Sequence, residues 1–321
     1  MHILLVKTSS LGDVVHNLPV VSDLRRVFPE ARIDWCVEEA FSDIPRLHSA
    51  VAEVIPVAVR RWRKSLGCHQ TWQEMRAFRQ RLRQTAYDFV LDTQGLLKSA
   101  LITWQAPGEH LGYAGEVARE PLAARFYDRT FVIPPNAHAV ERNRWLAAAA
   151  FDYPVDLPLS YGIEPPPMPL PWLNAVPFAV LLTATSRDDK LWPEEHWIAA
   201  ARAFLTDGLT PVLPSGNARE RQRAERIASA VPGTIVAPPL SLRELATLLG
   251  SARLCLGVDT GLVHLATALN TPTLALYIAT DPALTGAYGP GFVRNLGGKG
   301  RPPTVEQVMT VANQELQRCP A

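Results

Sequence analysis

Hydrophobic positions along this chain fall into short continuous runs, separated by segments in which apolar residues recur at helical spacing. Residues 3–7 form one such run, the pattern of a strand covered on both faces. A turn, Thr8-Ser9-Ser10-Leu11-Gly12, follows, and then Leu18, Val21, Leu24 and Phe28 repeat at helical spacing. Pro19 cannot sit inside one long helix, so a break is expected near Asn17 with the proline in a first turn. The same reading predicts strands over 33–37, 54–57, 89–92 and 131–133, and helices over 72–83, 96–103, 121–127 and 140–149. On the helix over 72–83, Trp72, Met75, Phe78 and Leu82 read as one apolar face. Arg76, Arg79 and Arg83 read as an opposite, solvated face.

The pattern breaks between Tyr153 and Pro177, where eight of the chain's 28 prolines fall. Proline fixes φ and removes a donor, so this stretch reads as a stiff linker. The expected organisation is a first domain over 1–152, the linker over 153–177, a second domain over 178–302 and a closing helix over 303–321 that is free to pack back on the first domain. The second half alternates again. A strand is expected over 178–182, a helix over 193–207, a strand over 211–213 and an arginine-rich helix through 227. Ser241-Leu242-Arg243-Glu244 is a capping box opening a helix that stops at Gly250, strands follow over 254–258 and 273–277, and Thr304 to Gln307 is a second box. Val305, Val308, Met309, Ala312 and Leu316 line one face of the last helix. Two βα-alternating halves imply an α/β chain of two Rossmann-like, doubly wound domains facing a central cleft, with ligands at the carboxyl ends of the strands. No G-x-G-x-x-G follows the first strand and no G-x-x-x-x-G-K-[ST] is present, which removes the dinucleotide dehydrogenases and the P-loop enzymes.

Composition narrows the picture further. At 321 residues, 47% hydrophobic and 20% charged, the chain has the make-up of a globular enzyme. A net charge of +1 gives no support to a nucleic-acid partner. From Arg60 to Arg83, however, eight Lys/Arg stand against one acid, Glu74. Cys36, Cys68, Cys255 and Cys319 are scattered and form no C-x-x-C pair, which argues against a disulfide framework or a zinc site. The run before Lys7 is too short for a signal peptide, and the longest apolar stretch, 175–184, is too short to span a bilayer. The expectation is a cytoplasmic protein that can attach to a membrane surface.

Three places could carry chemistry. The run 254–256 continues into Val258-Asp259-Thr260-Gly261-Leu262-Val263-His264, a strand that turns into a helix whose unpaired amides and positive dipole end suit an anion. The same residues also suit an ordinary N-cap. Asp13 lies just past the first strand and reads either as a helix-start aspartate or as a carboxylate aimed at a substrate hydroxyl. Thr185-Ser186-Arg187-Asp188-Asp189-Lys190 follows the first strand of the second domain, with hydroxyls and an amine suited to phosphate. Asp188 and Asp189, set between Arg187 and Lys190, are expected to pair locally. Glu220 sits in the first turn of its helix. Arg60-Arg61-Trp62-Arg63-Lys64 packs four cations into five residues, a cluster that needs an anionic partner or full solvation.

These residues also carry a resemblance. The stretches Val6-Lys7-Thr8-Ser9-Ser10-Leu11-Gly12-Asp13-Val14, Gln94-Gly95-Leu96-Leu97-Lys98-Ser99-Ala100, Ala118-Arg119-Glu120-Pro121, His138-Ala139-Val140-Glu141-Arg142, Arg187-Asp188-Asp189-Lys190 and Val258-Asp259-Thr260-Gly261 are similar to those of the lipopolysaccharide heptosyltransferases, glycosyltransferases of GT-B architecture. The Arg-Arg-Trp-Arg-Lys block resembles the members that add the first heptose. The resemblance implies an inverting, metal-independent transfer of heptose from ADP-heptose to the 3-deoxy-D-manno-octulosonic acid (Kdo) of Kdo-lipid A, at the inner face of the inner membrane. It implies Asp13 as general base. Thr185, Ser186, Lys190, Glu220, Leu240, Asp259, Thr260, Gly261 and His264 match donor-binding positions. Lys7, Arg60, Arg61, Arg63, Lys64 and Arg119 match the basic acceptor side. Serine at 186 and leucine at 11 and 240 stand where threonine and methionine are common. Two rivals stay open: a nucleotide-sugar epimerase of the same architecture, and a non-catalytic relative that only binds lipopolysaccharide.

Overall fold

The computed structural model describes residues 1–174 and 176–318, so Ala175, at the start of the 175–184 run, and Cys319 with the end of the expected last helix lie outside the described residues. The chain divides into two compact units, one ending at Gly162 and the other beginning at Ile163. The first holds strands β1 (His2–Val6), β2 (Arg32–Glu38), β3 (Val51–Val57), β4 (Phe89–Asp92), β5 (Glu109–Tyr113) and β6 (Arg129–Phe131). Its helices are α1 (Leu11–Val15), α2 (Leu18–Val27), α3 (Asp43–Arg46), α4 (Val59–Trp62), α5 (His69–Arg83), α6 (Leu97–Thr103) and α7 (Ala139–Phe151). The second holds β7 (Phe178–Leu182), β8 (Thr210–Leu213), β9 (Ile235–Val236), β10 (Leu254–Val258), β11 (Thr273–Tyr277) and β12 (Val293–Gly297). Its helices are α8 (Glu194–Thr206), α9 (Ala218–Ala230), α10 (Leu242–Gly250), α11 (Gly261–Ala268) and α12 (Val305–Arg318).

Both sheets are parallel throughout, in the orders β3-β2-β1-β4-β5-β6 and β12-β11-β10-β7-β8-β9. Within its own unit each order is the doubly wound 3-2-1-4-5-6, read from opposite ends. Each sheet therefore has one place where neighbouring strands send their connections to opposite sides, the switch point where such folds bind ligands. It lies between β1 and β4 in the first unit, where Ile3 pairs with Phe89, and between β7 and β10 in the second, where Val180 pairs with Cys255.

The continuous apolar runs are the central strands: Ile3 to Val6, Phe178 to Leu182 and Leu254 to Val258 are all buried. The Pro19 break is present, with α1 ending at Val15 and α2 carrying the proline in its first turn. The segment 121–127 is a 3-10 turn over Pro121–Phe126 rather than a helix. Strands β5 and β12 go unpredicted by pattern because glycine and polar residues interrupt their apolar positions.

The proline-rich segment does not stand apart as a linker. Its first part is tied to the first unit by bonds from Arg26 to the Pro158 carbonyl and from Arg144 to the Leu157 carbonyl. Its later part is tied to the second unit, where Thr247 donates to the Pro166 carbonyl at 3.0 Å. The last helix buries Val308 and Ala312 in the second unit's core with Trp197 and Phe204. Its apolar stripe is satisfied there. Among the described residues no helix is long and apolar enough to cross a membrane.

Candidate active site

In the first unit, β1 delivers Lys7 and the loop after it delivers Asp13. Lys7 is buried, and its ammonium donates to the Thr93 carbonyl at 2.7 Å and to Asn143 Oδ1 at 3.3 Å. Burial pulls this amine down to about 8, against the attraction of Asp13 and with help from the Arg119 charge. Asp13 sits in the first turn of α1. Its Oδ2 accepts from the Ser10 amide and hydroxyl, both at 2.9 Å, and its Oδ1 accepts from Arg119 at 3.0 Å. Burial alone raises its carboxyl. The charges of Lys7 and Arg119 and the two Ser10 bonds outweigh that and hold it below the usual carboxylate range. The helix-start reading holds on one carboxylate oxygen, and the other is paired with Arg119.

The loop that carries Asp13 is fixed from the neighbouring strand. Gln94, just past β4, accepts from the Thr8 amide at 2.7 Å and the Thr8 hydroxyl at 2.8 Å, and donates to the Ser9 carbonyl at 3.0 Å. Gln94 is held in turn by Asp92, whose Oδ1 accepts from its amide at 2.7 Å while Oδ2 accepts from the Tyr127 hydroxyl at 2.7 Å. Burial pushes the Asp92 carboxyl up, and these bonds oppose it. Lys98 donates to the Ser9 hydroxyl at 2.7 Å. A small cavity of about 30 Å³ lies between Lys7, Asp13, Thr93, Arg119, Arg142 and Asn143, and among the described residues the buried Thr93 hydroxyl has no hydrogen-bond partner. Gln94, Lys98, Arg142 and Asn143 were not singled out from the sequence. The signal that finds Gln94 and Lys98 is their place after the carboxyl end of β4, beside β1.

The basic block is less free than its sequence suggests. Arg61 is clamped by Glu39, at 3.0 Å, and Glu74, at 2.7 Å, and Glu74 also accepts from the buried Trp62 indole at 2.8 Å. Those acids come from the end of β2 and from α5, so spacing alone does not reveal them. The Arg60 guanidinium lies over the Phe41 ring at 5.0 Å, and its amide is held by Glu38 at 2.9 Å. Arg63 and Lys64 are exposed, and among the described residues their side chains make no ion pair. Burial lowers the Lys98 amine, the charges of Arg60 and Arg63 add to that, and Glu38 and Asp13 oppose it.

In the second unit, Asp259 is a hub rather than a helix cap. Its Oδ2 accepts from Lys190 at 2.7 Å and from the Thr280 hydroxyl at 2.8 Å, and its carbonyl accepts from the Thr185 hydroxyl at 2.8 Å. Thr185 follows β7 and Asp259 follows β10, so this bond crosses the switch point as the Thr8–Gln94 bonds do in the first unit. Thr280 is a partner that pattern reading missed. Thr260 is the extended N-cap of α11 and makes no side-chain cap bond, while its carbonyl accepts from the Val263 amide at 3.1 Å. Gly257 brings the helix close: a Cβ there meets Val263 Cγ2 at 2.5 Å and Leu182 Cβ at 2.9 Å. His264 is buried one turn into α11.

Among the described residues, Ser186, Leu240 and Glu220 make no hydrogen bond to this hub. Ser186 is exposed and Leu240 is partly buried ahead of the Ser241 box. Glu220 closes the start of α9, accepting from the Gly216 amide and the Asn217 side chain, both at 2.7 Å. The expected local pairing of Asp188 and Asp189 holds for one of them: Asp189 pairs with Arg187, while Asp188 pairs with Arg219 from α9 at 2.9 Å. Lys190 turns to Asp259 instead. Among the described residues no three His, Cys, Asp or Glu side chains gather as a metal site.

The model of glycosyltransferase family 9 (heptosyltransferase) matches residues 75–314. A lipopolysaccharide heptosyltransferase 1 of Pseudomonas aeruginosa is 47% identical over 291 residues, covering 90% of this chain and 82% of that protein. This chain belongs to glycosyltransferase family 9. A second family 9 relative, the lipopolysaccharide heptosyltransferase 1 of Escherichia coli K12, is 44% identical over 90% of this chain and 91% of its own length. The solved E. coli heptosyltransferase WaaC with ADP superimposes with a TM-score of 0.91 at 41% identity, covering 98% of this chain and all of that one. The two sheets of this family 9 member are thus the two Rossmann-like domains of a GT-B enzyme.

Proposed function

We propose that this chain transfers heptose from ADP-heptose to the Kdo of Kdo-lipid A, with inversion at the anomeric carbon, during synthesis of the lipopolysaccharide inner core. The observation that carries the mechanism is the state of Asp13: an ionised carboxylate at the switch point of the first unit, tied to the loop by one oxygen and to Arg119 by the other. It is the general base. The Kdo hydroxyl attacks the anomeric carbon as Asp13 takes its proton, and the bond from that carbon to the β-phosphate oxygen breaks. A carboxylate held low is a weak base while Arg119 is on it. An anionic acceptor that draws Arg119 to itself raises its basicity at the moment of use. Lys7, Arg60, Arg61, Arg63, Lys64 and Arg119 form the acceptor side, with Arg63 and Lys64 available outright and Arg61 only by sharing Glu39 and Glu74.

ADP leaves with growing negative charge. In this reading that charge is met by Lys190 and the opening amides of α11 at Thr260 and Gly261, groups already in place before reaction. Asp259 holds Lys190 and Thr280 in position. Thr185, Ser186, Glu220, Leu240 and His264 complete the donor side. No metal or other cofactor is part of the scheme. The acceptor is a lipid, so the protein works peripherally at the cytoplasmic face of the inner membrane. That the E. coli relative was solved with ADP, and with ADP-2-deoxy-2-fluoro heptose, supports the donor.

The test is ADP release from ADP-heptose with and without Kdo-lipid A. Release only in the presence of acceptor is expected. An isomerised sugar nucleotide from ADP-heptose alone, or no ADP with both substrates, overturns the reading.

A further inference from the structure

Helix α5 carries two parallel stripes. Thr71, Met75, Phe78 and Leu82 step by four, three and four residues, and Met75, Phe78 and Leu82 pack with Trp62 on the first unit's core. Trp72, Arg76, Arg79 and Arg83 make the same steps one residue later, so they share a stripe a quarter-turn away, and all four are exposed. The sequence reading put Trp72 on the apolar face. Its spacing puts it with the arginines, and its side chain is where the spacing says: Trp72 is 54% exposed. Its indole N–H donates to the Leu66 carbonyl at 2.7 Å, and Leu66 is itself 50% exposed. Two large apolar side chains therefore stand at the head of an arginine stripe, with Arg63 and Lys64 in the adjoining turn.

These cations are unlike their neighbours. Arg61 is clamped by Glu39 and Glu74, and Arg81 is paired with Glu53. Arg63, Lys64, Arg76, Arg79 and Arg83 make no side-chain hydrogen bond or ion pair among the described residues. Five exposed like charges thus share one surface with an exposed indole and an exposed leucine, and among the described residues no acid pairs with them.

We propose that this face docks on the surface of an anionic lipid bilayer. The charges match its headgroups. An indole whose N–H is already satisfied sits well at headgroup level, and the branched Leu66 side chain gains by entering the acyl boundary. The Trp72 indole alone could also stack a nucleobase; Leu66 beside it offers a base nothing to stack on and gains only from an acyl boundary. The proposal rests on the heptosyltransferase reading only for its purpose, which is to bring the site to a lipid-borne acceptor.

The experiment is co-sedimentation of the full chain with vesicles of equal phosphatidylglycerol and phosphatidylcholine, and with phosphatidylcholine alone, neither containing acceptor. The wild type is expected to sediment with the anionic vesicles only, less so at high salt. Each cation near such a surface is worth about fivefold in partitioning, so Arg76→Ala with Arg79→Ala is expected to lower it roughly 25-fold. Trp72→Ala is expected to lower it as well. ADP release with a water-soluble, deacylated Kdo acceptor stays at the wild-type rate in both variants. Wild-type protein that ignores the anionic vesicles, or variants that partition like the wild type, overturn the proposal. So does an equal loss of turnover on the soluble acceptor, which puts the stripe in the acceptor site instead. If the wild type releases no ADP with any acceptor, the heptosyltransferase reading fails, and vesicle partitioning still decides this one.

Discussion

Lys7 is where burial and charge conflict most sharply. Its folded value of about 8 lies below the ordinary 10.5, so between those two pH values the unfolded chain binds more protons than the folded one. Its contribution to stability therefore rises with pH across that window and is least favourable below about pH 8. The ammonium is retained at neutral pH despite that cost, beside the Asp13 carboxylate. If its charge serves the reaction, kcat/KM falls above about pH 8, and Lys7→Met removes that limb while lowering activity throughout. A wild-type profile flat to pH 10 contradicts this. Gln94 is the second telling residue. Gln94→Ala strips three hydrogen bonds from Thr8 and Ser9, and displacing a base by about an ångström costs up to roughly 10²-fold in rate. The expected result is a lower kcat with unchanged ADP-heptose affinity, read by steady-state kinetics and donor titration. Among the cations, Arg63→Ala is expected to raise KM for the acceptor. Arg61→Ala is expected to lower the melting temperature as well, because it releases Glu39 and Glu74 from one clamp.

At the scale of elements, the strand-to-helix junctions do the positioning. α11 opens on β10 with no room for a side chain at residue 257. Gly257→Ala is expected to cost about 1–3 kcal/mol by overpacking against Val263 and Leu182, and to weaken ADP binding as the helix start shifts. Urea unfolding and ADP titration read both effects, and unchanged values in both contradict the packing account. The central strands and the capping boxes were legible because their signals are local. The Ser241–Glu244 and Thr304–Gln307 pairs hydrogen-bond as their spacing requires. β5 and β12 were not legible, because Glu109-His110-Leu111-Gly112-Tyr113 and Val293-Arg294-Asn295-Leu296-Gly297 owe their strand state to sheet neighbours. Arg119 comes to Asp13 from 106 residues away, Glu39 to Arg61 from 22 and Lys190 to Asp259 from 69, and no local pattern holds these pairs.

Over the whole molecule, the same doubly wound order occurs twice. Each copy places its candidate chemistry at its own switch point. One has been given a carboxylate among cations, the other a helix start and an amine held by Asp259. The net charge of +1 conceals this division, since the unpaired cations of residues 60–83 all belong to the first unit. The account's central claim is that the first unit's carboxylate is the base. Its most direct test is acceptor-dependent ADP release by Asp13→Asn, which keeps the shape that caps α1 and removes the proton acceptor. The account predicts a fall of ~10²–10⁴ in turnover with ADP-heptose binding intact. Turnover within a few-fold of the wild type contradicts it.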